Sequence, residues 1–467
     1  MRVELLNGKN IEERVRFIAT AGMLSRAKGT VFDLYASRDN YEKNINVAKR
    51  IIGMGHKSII EHDYLVFGIS DVSPIIEQIL IGQRLASFTV KSRREVDFST
   101  VGYYTPDFNY LDNGKEISDK YHNHMDYLFN EYSKLLELGI KKEDARFILP
   151  YSYHSNLVMG VDGRTLEKLI NYCTKGKMSV LPEVHELGDK LIEIVNIYCP
   201  YLVEELDKVK PNTDDKFEFL DGIVSNTKSA DLDKPRLISI SNPHFIKTLE
   251  SGMDEQIIVS ALMNRYQISI DDAKKLYDNK LTYDDKNKIM EVICNSSEQR
   301  ELEQVSFTYQ VPISLAVLTH LTRHRMHSLL IPDFIPMWNL DRHIVPNSIK
   351  NKCLDTYEAI YEKNNEVFKN FKDNNVEEKD LVYFYLSGNM VNVTTNMNGR
   401  TLEWISRMRC CNKAQWEIRN NVNEMVNLAK DVAPLYGKHL GATCDVYGYC
   451  PEGKECCGKV YTLKKGE

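Results

Sequence analysis

Phe307-Thr308-Tyr309-Gln310-Val311-Pro312-Ile313-Ser314-Leu315-Ala316-Val317-Leu318-Thr319-His320-Leu321-Thr322-Arg323-His324-Arg325 carries two messages. The first is local. Phe307 to Val311 has the length and apolar character of a strand. Pro312 suits the first position of a helix, and Ile313, Val317, Leu318 and Leu321 recur at helical spacing. The helix ends on two guanidiniums flanking an imidazole. Planar, forked donors of this kind suit phosphate or another anionic ligand. The second message is a repeat. Val66 to Ser92 aligns without a gap on Phe307 to Asp333, at an offset of 241, and opens its own helix at Ser73-Pro74. Gly163-Arg164-Thr165-Leu166-Glu167 recurs as Gly399-Arg400-Thr401-Leu402-Glu403, at an offset of 236. Two blocks in the same order at nearly the same offset indicate an internal duplication.

The size of the chain agrees. Its 467 residues exceed one ordinary core, so two domains are expected. The polar, acidic run from Pro211 to Pro235 is the linker candidate. That gives a first repeat over 1–210, a linker over 211–235 and a second repeat over 236–467 with a Cys-rich tail. The net charge of −6 gives no bulk attraction for nucleic acid. No apolar run reaches the ~18 residues of a membrane span. Met1 to Leu6 lacks the apolar core of a signal peptide and reads as a strand. Ten Cys in a chain this long are not a small secreted disulfide framework. The expectation is a cytoplasmic protein with neither nucleic acid nor membrane as partner.

In chain order, helices are predicted near Ile11–Leu24 and Asn40–Met54. Gly55-His56-Lys57-Ser58-Ile59-Ile60-Glu61-His62 does not have the spacing of a helical H-E-x-x-H, and reads as a hydrogen-bonded turn. Tyr64 to Ile69 is a strand. Ser92 and Arg94, after the next helix, would make a hydroxyl-plus-guanidinium cradle for an anion. Helices follow near Ser118–Leu138 and Lys141–Arg146. Arg146 precedes the apolar Phe147-Ile148-Leu149-Pro150, where a salt bridge is its ordinary reading. A strand restarts at Arg236 to Ser241. Asn396 to Leu402 reads as a turn entering a helix that carries Arg407 and Arg409, and a long amphipathic helix runs to about Val432. The tail cysteines, Cys444, Cys450, Cys456 and Cys457, are spaced C-x5-C-x5-C-C. That lacks the C-x2-C pairs of common zinc sites, so free or redox-active thiols and no metal are expected.

These residues resemble the flavin-dependent thymidylate synthase family over nearly the whole chain, as two tandem copies. The family's signature is R-H-R, seven residues, then S, and R two positions on. It also has G-H-x-S-x-x-E-H upstream, and downstream an N-x-R turn, a further Arg and A-Q-W-E-I. The stretch from Asn398 to Arg419 matches most closely, and Gly448-Tyr449-Cys450-Pro451-Glu452-Gly453 is similar to tails in the family. The first copy keeps His56, Ser58, Glu61, His62, Ser92, Arg94 and Arg146. It has Gly82-Gln83-Arg84 for R-H-R, Asp162 for the Asn and Cys173 for the later Arg. The second copy keeps Arg323, His324, Arg325, Asn398, Arg400 and Arg409. There Asp333, Ile335 and Val382 replace Ser, Arg and Arg, and Ser297 and Glu303 replace the two His. Val90 and Ile331 stand where the family has an acidic residue.

The resemblance implies an α+β fold, two tandem copies of a mixed or antiparallel sheet with helices. It implies reductive methylation of dUMP to dTMP, with methylenetetrahydrofolate and NADPH as co-substrates and FAD as cofactor. Ser58, Arg323, His324, Arg325, Asn398 and Arg400 would contact the cofactor. Ser92, Arg93, Arg94, Arg146, His320, Arg323 and Arg409 would contact the nucleotide, with Arg409 catalytic. Family members are tetramers with active sites between subunits, so two chains would form a homodimeric pseudo-tetramer. The missing acidic residue leaves another pyrimidine nucleotide as an alternative substrate. A non-catalytic flavin- or nucleotide-binding relic is the other alternative.

Overall fold

The computed structural model describes residues 1–208, 232–240, 252–335 and 340–459. Most of the linker, residues 211–231, lies outside the described residues, as does Ser241. Two four-stranded antiparallel sheets carry the duplication. The first contains β1 (Arg2–Asn7), β2 (Tyr64–Val72), β3 (Ala86–Val90) and β4 (Ser155–Asp162), in the order β1-β2-β4-β3. The second contains β5 (Arg236–Ile240), β6 (Ser306–Ser314), β7 (Ser328–Leu330) and β8 (Met390–Asn398), in the order β5-β6-β8-β7. The two orders are the same, so the sequence repeat is a repeat of topology. β3, β4, β7 and β8 were not anticipated as strands. Asn396 to Asn398, read above as a turn, are the last residues of β8.

Pro312 corrects the boundary predicted for the central helix. It lies in β6, opposite Asn392, and the helix runs over Leu315–Thr322 with Ser314 as its N-cap. β5 stops pairing at Gln310, so no β5 residue lies opposite Pro312, and a proline without N–H is tolerated there. In the first repeat the corresponding residue is Asp71, a left-handed residue (φ 57) where the β2–β4 register shifts. A ring that fixes φ near −65° could not take that bulge. The first repeat's helix does start as predicted, at Pro74, and all of Pro74–Ile81 is buried.

Contacts divide the chain into two compact units, and these are not its two sequence halves. One unit is Met1–Lys228 with Phe334–Asn389; the other is Ser229–Asp333 with Met390–Glu467. The helical segment of the second repeat thus belongs to the first unit. There the long helices Gly114–Glu137 and Leu354–Asp373 come from equivalent parts of the two repeats. Tyr151 N–H donates to Tyr385 O at 2.6 Å and Ser387 N–H donates to Leu149 O at 2.9 Å. Tyr151 and Ser387 are 236 residues apart, as are Leu149 and Tyr385. The reciprocal pair is what a two-fold axis through the Pro150–Leu386 bridge requires. Asp144 accepts from Ser348 Oγ (2.6 Å) while its equivalent, Asp380, accepts from Tyr110 OH (2.8 Å). His124 Nε2 meets Asn364 Oδ1 at 2.8 Å in the buried centre of this seam.

Both repeats use one more shared device. A buried Glu on a later helix accepts the main-chain N–H of the Ser that starts the central helix. The pairs are Glu183 with Ser73 (2.7 Å) and Glu417 with Ser314 (2.6 Å). Glu183 also accepts from Tyr383 OH (3.1 Å), and burial pushes its pKa up to about 7. A carboxyl whose folded pKa is raised stabilises the fold fully below its unfolded value of 4.5, and loses that contribution as pH rises through 7. The wild-type chain should therefore lose thermal stability relative to Glu183→Gln between about pH 5 and 7. A difference in melting temperature that stays constant over that window would remove Glu183 as its source.

Candidate functional site

Of the residues expected to contact the nucleotide, Ser92, Arg93, Arg94 and Arg146 lie in the first unit, and His320, Arg323 and Arg409 lie in the second. Arg146 closes the short helix Lys142–Ala145 and begins a 3₁₀ turn whose end is fixed by the Leu149 N–H to Arg146 O bond. Only 2% of it is exposed. Its Nε donates to Glu143 O at 3.1 Å, and its Nη2 has no hydrogen-bond partner among the described residues. Arg94 Nε donates to the Glu143 carboxylate at 2.7 Å, and Arg94 N–H donates to Ser92 Oγ at 3.3 Å. Burial, then the charge of Arg93, bring the Arg146 pKa down to about 10, with Arg94 acting in the same direction. Three guanidiniums thus crowd one another, and one has an unmet donor in a dry place. Burying a charge without full pairing is costly unless an anion completes it.

Arg93 has a different place from its neighbours. It is buried and forms a forked ion pair with Glu77, both bonds 3.0 Å, with Tyr153 OH against the same guanidinium. Ser155 Oγ donates to Glu77 at 2.5 Å. Glu77 is the lone acid in the apolar run Pro74 to Ile81, and that isolation was the available sign of a buried partner. Ser58, by contrast, is exposed on the turn Lys57–His62, with His56 and His62 also exposed and Glu61 paired with Arg164.

Of the residues expected to contact the cofactor, Ser58 lies in the first unit, and Arg323, His324, Arg325, Asn398 and Arg400 lie in the second, around the helix Gly399–Arg409. At its C-terminal end Arg409 Nε donates to His324 Nε2 at 2.8 Å, and Arg409 Nη2 donates to His320 O at 3.2 Å. His324 accepts through Nε2, so the neutral ring keeps its proton on Nδ1. Burial, then the Arg409 charge, push its pKa down to about 3. Arg323 is the exposed C-cap of the central helix and Arg325 is half-buried. The turn is pinned by His327, whose Nδ1 meets Thr395 Oγ1 at 2.6 Å and whose Nε2 meets Leu321 O at 3.1 Å. Sequence reasoning passed over His327, although it stands two residues past the cationic triplet. At the other end of the same helix Asn398 is the N-cap, accepting from Thr401 N–H at 2.9 Å, and Arg400 pairs with Glu303 at 2.7 Å. Eleven helical residues separate the two ends by about 15 Å. Asn398 and Arg400 therefore cannot share one small-ligand contact with Arg409 of the same copy.

The two repeats differ as matched pairs. Arg409 and His324, bonded in the second unit, correspond to Cys173 and Gln83 in the first. Cys173 is fully buried, and Gln83 turns back to donate to its own helix at Ile79 O (3.1 Å). Arg146 corresponds to Val382, which is also fully buried. The fold and the residues together define a tandemly duplicated α+β protein with guanidinium clusters suited to anionic ligands.

The chain belongs to the family described as thymidylate synthase complementing protein, whose model matches residues 8–201 and again 248–435. It is 32% identical over 244 residues to a flavin-dependent thymidylate synthase of Clostridium tetani, covering 47% of this chain and 95% of that protein. A protein of the same name from Geobacter sulfurreducens is 28% identical over 221 residues, covering 45% of this chain and 90% of its own length. Relatives of about half this length fit the duplication. Among the described residues no helix is long and apolar enough to cross a membrane.

The Arg93–Glu77 pair has a direct test. Arg93→Ala strands a buried carboxylate and should cost about 3–5 kcal/mol of stability. The double replacement Arg93→Met with Glu77→Leu should recover most of it in denaturant unfolding. A mild single variant, with ligand affinity lost instead, would place Arg93 on the ligand.

Proposed function

We propose that this chain is a flavin-dependent thymidylate synthase that converts dUMP to dTMP, taking a carbon from methylenetetrahydrofolate and electrons from NADPH. The observation that carries the reading is the unmet Nη2 of buried Arg146, among Arg93, Arg94 and Ser92. A nucleotide phosphate or the polar edge of a pyrimidine would satisfy it with charge-assisted hydrogen bonds. Val382 offers no such donor, so the nucleotide side is assigned to the first repeat.

The donor set of the second repeat fits FAD. Arg323 and Arg325 flank the end of the central helix, and forked cations suit a pyrophosphate. Asn398 and Arg400 would hold a second part of an extended cofactor. FAD, when bound, supplies hydride chemistry that side chains lack. Arg409 stabilises negative charge that develops on the pyrimidine ring. His324 holds Arg409 by accepting its Nε–H, and a ring with so low a pKa stays neutral at working pH and adds no repulsion. Two chains would assemble as a homodimer resembling a tetramer of single-copy subunits, in the cytoplasm.

Tritium release from 5-tritiated dUMP, with methylenetetrahydrofolate and NADPH, tests the reading. Arg409→Ala should lower turnover on the order of 10²–10³-fold and leave FAD binding largely intact. Arg94→Ala and Arg323→Ala, in different repeats, should each abolish release. Flavin-loaded wild-type chain that releases no tritium would overturn the reading, while release from a single repeat expressed alone, or wild-type turnover in folded Arg409→Ala, would overturn the residue roles.

A further inference from the structure

Six of the ten cysteines line one cleft in the second unit. Cys410 and Cys411 directly follow the helix that carries Arg409, and Cys444, Cys450, Cys456 and Cys457 come from the tail. None is in a disulfide. The tail is tied across the helix end by Lys413 to Glu455 (3.1 Å) and by Asn412 Nδ2 to Cys457 Sγ (3.6 Å). Within the cleft Cys411 lies near Cys444 and Cys450, and Cys450 lies near Cys456.

Three of these four sulfurs accept a main-chain N–H from two residues further on. Lys413 donates to Cys411 at 3.5 Å, Gly458 to Cys456 at 3.4 Å, and Glu452 to Cys450. Such donors fix the direction of a sulfur's lone pairs, as the outer hydrogen bonds of metal ligands do. Lys459 lies beside Cys444 and Cys457, and Lys413 beside Cys457, so cations border the group.

We propose that Cys411, Cys444, Cys450 and Cys456 bind one zinc ion as a tetrathiolate that fastens the tail to the helix carrying Arg409. Zinc takes four thiolates at about 2.3 Å, which sets neighbouring sulfurs about 3.8 Å apart. An iron–sulfur cluster interposes its own irons and sulfides and spreads its thiolates further. Binding releases four thiol protons to solvent and leaves a dianionic centre, bordered by Lys413, paired with Glu455, and Lys459, paired with Asp445. Among the described residues no three donors stand at coordination distance around one point. Coordination by all four sulfurs therefore requires the tail loop to move inward.

The test is elemental analysis of the full chain, purified under anaerobic conditions. One zinc per chain is expected. Cys450→Ser and Cys456→Ser should lower zinc content at least tenfold, while Cys457→Ser should keep it. Should those variants fold poorly, zinc can be stripped from the wild-type chain by a chelator and replaced by cobalt(II). Absorption bands of tetrahedral cobalt thiolate at one equivalent support the site. Folded chain without zinc that takes up no cobalt would overturn it, as would bound iron or a Cys450–Cys456 disulfide in the anaerobic protein.

Discussion

The reciprocal backbone bonds between Leu149-Pro150-Tyr151 and Tyr385-Leu386-Ser387 are the constraint on which the first unit depends. They force equivalent segments of the two repeats to lie about one pseudo-two-fold axis. Every position near that axis then exists twice, and the backbone cannot tell the two apart. Side chains can. Arg146 and Val382 occupy equivalent turns one step before the seam, and only one of them brings charge and donors. Duplication thus keeps the scaffold and frees one copy of each functional position to change.

The changes follow physical sense. Arg409 needs a partner that accepts its Nε–H without competing charge, and neutral His324 supplies it. Losing one member alone would leave the other stranded. In the first repeat both are replaced, Arg by a small apolar thiol and His by an amide that bonds to its own helix. The same logic links Arg93 with Glu77, where removal of either leaves a buried charge. Such pairs explain why the repeats differ in clusters, not by scattered substitutions.

Much of this was legible from spacing. The duplication, the α+β class and the cationic end of the central helix all rest on local patterns. What escaped were features set by distant partners. Strand β8 is the exception: Val391, Val393 and Met397 are buried and alternate with the less buried Asn392, Thr394 and Asn396, a local signal that was passed over. Pro312 reads as a helix start because its tolerance depends on where β5 stops pairing. The position of Phe334–Asn389 in the first unit is a matter of contacts across about 200 residues of chain, for which periodicity has no signal. Cys411 and the tail thiols are separated in sequence, so spacing within the tail alone concealed their meeting. Arg93 looked like its neighbours Ser92 and Arg94 until Glu77 appeared beside it.

The proposed division of labour gives the nucleotide-side residues to the first repeat and the flavin-side residues to the second. Flavin content per chain measures this most directly. Arg323, His324, Arg325, Asn398 and Arg400 occur once per chain as a set, while Gly82, Gln83 and Asp162 withhold a guanidinium and an imidazole and add a negative charge. Flavin absorbance against protein concentration, with light scattering for mass, should give one FAD per chain and two per dimer. Two flavins per chain would show that the first repeat binds cofactor without those residues, and would contradict the division of labour.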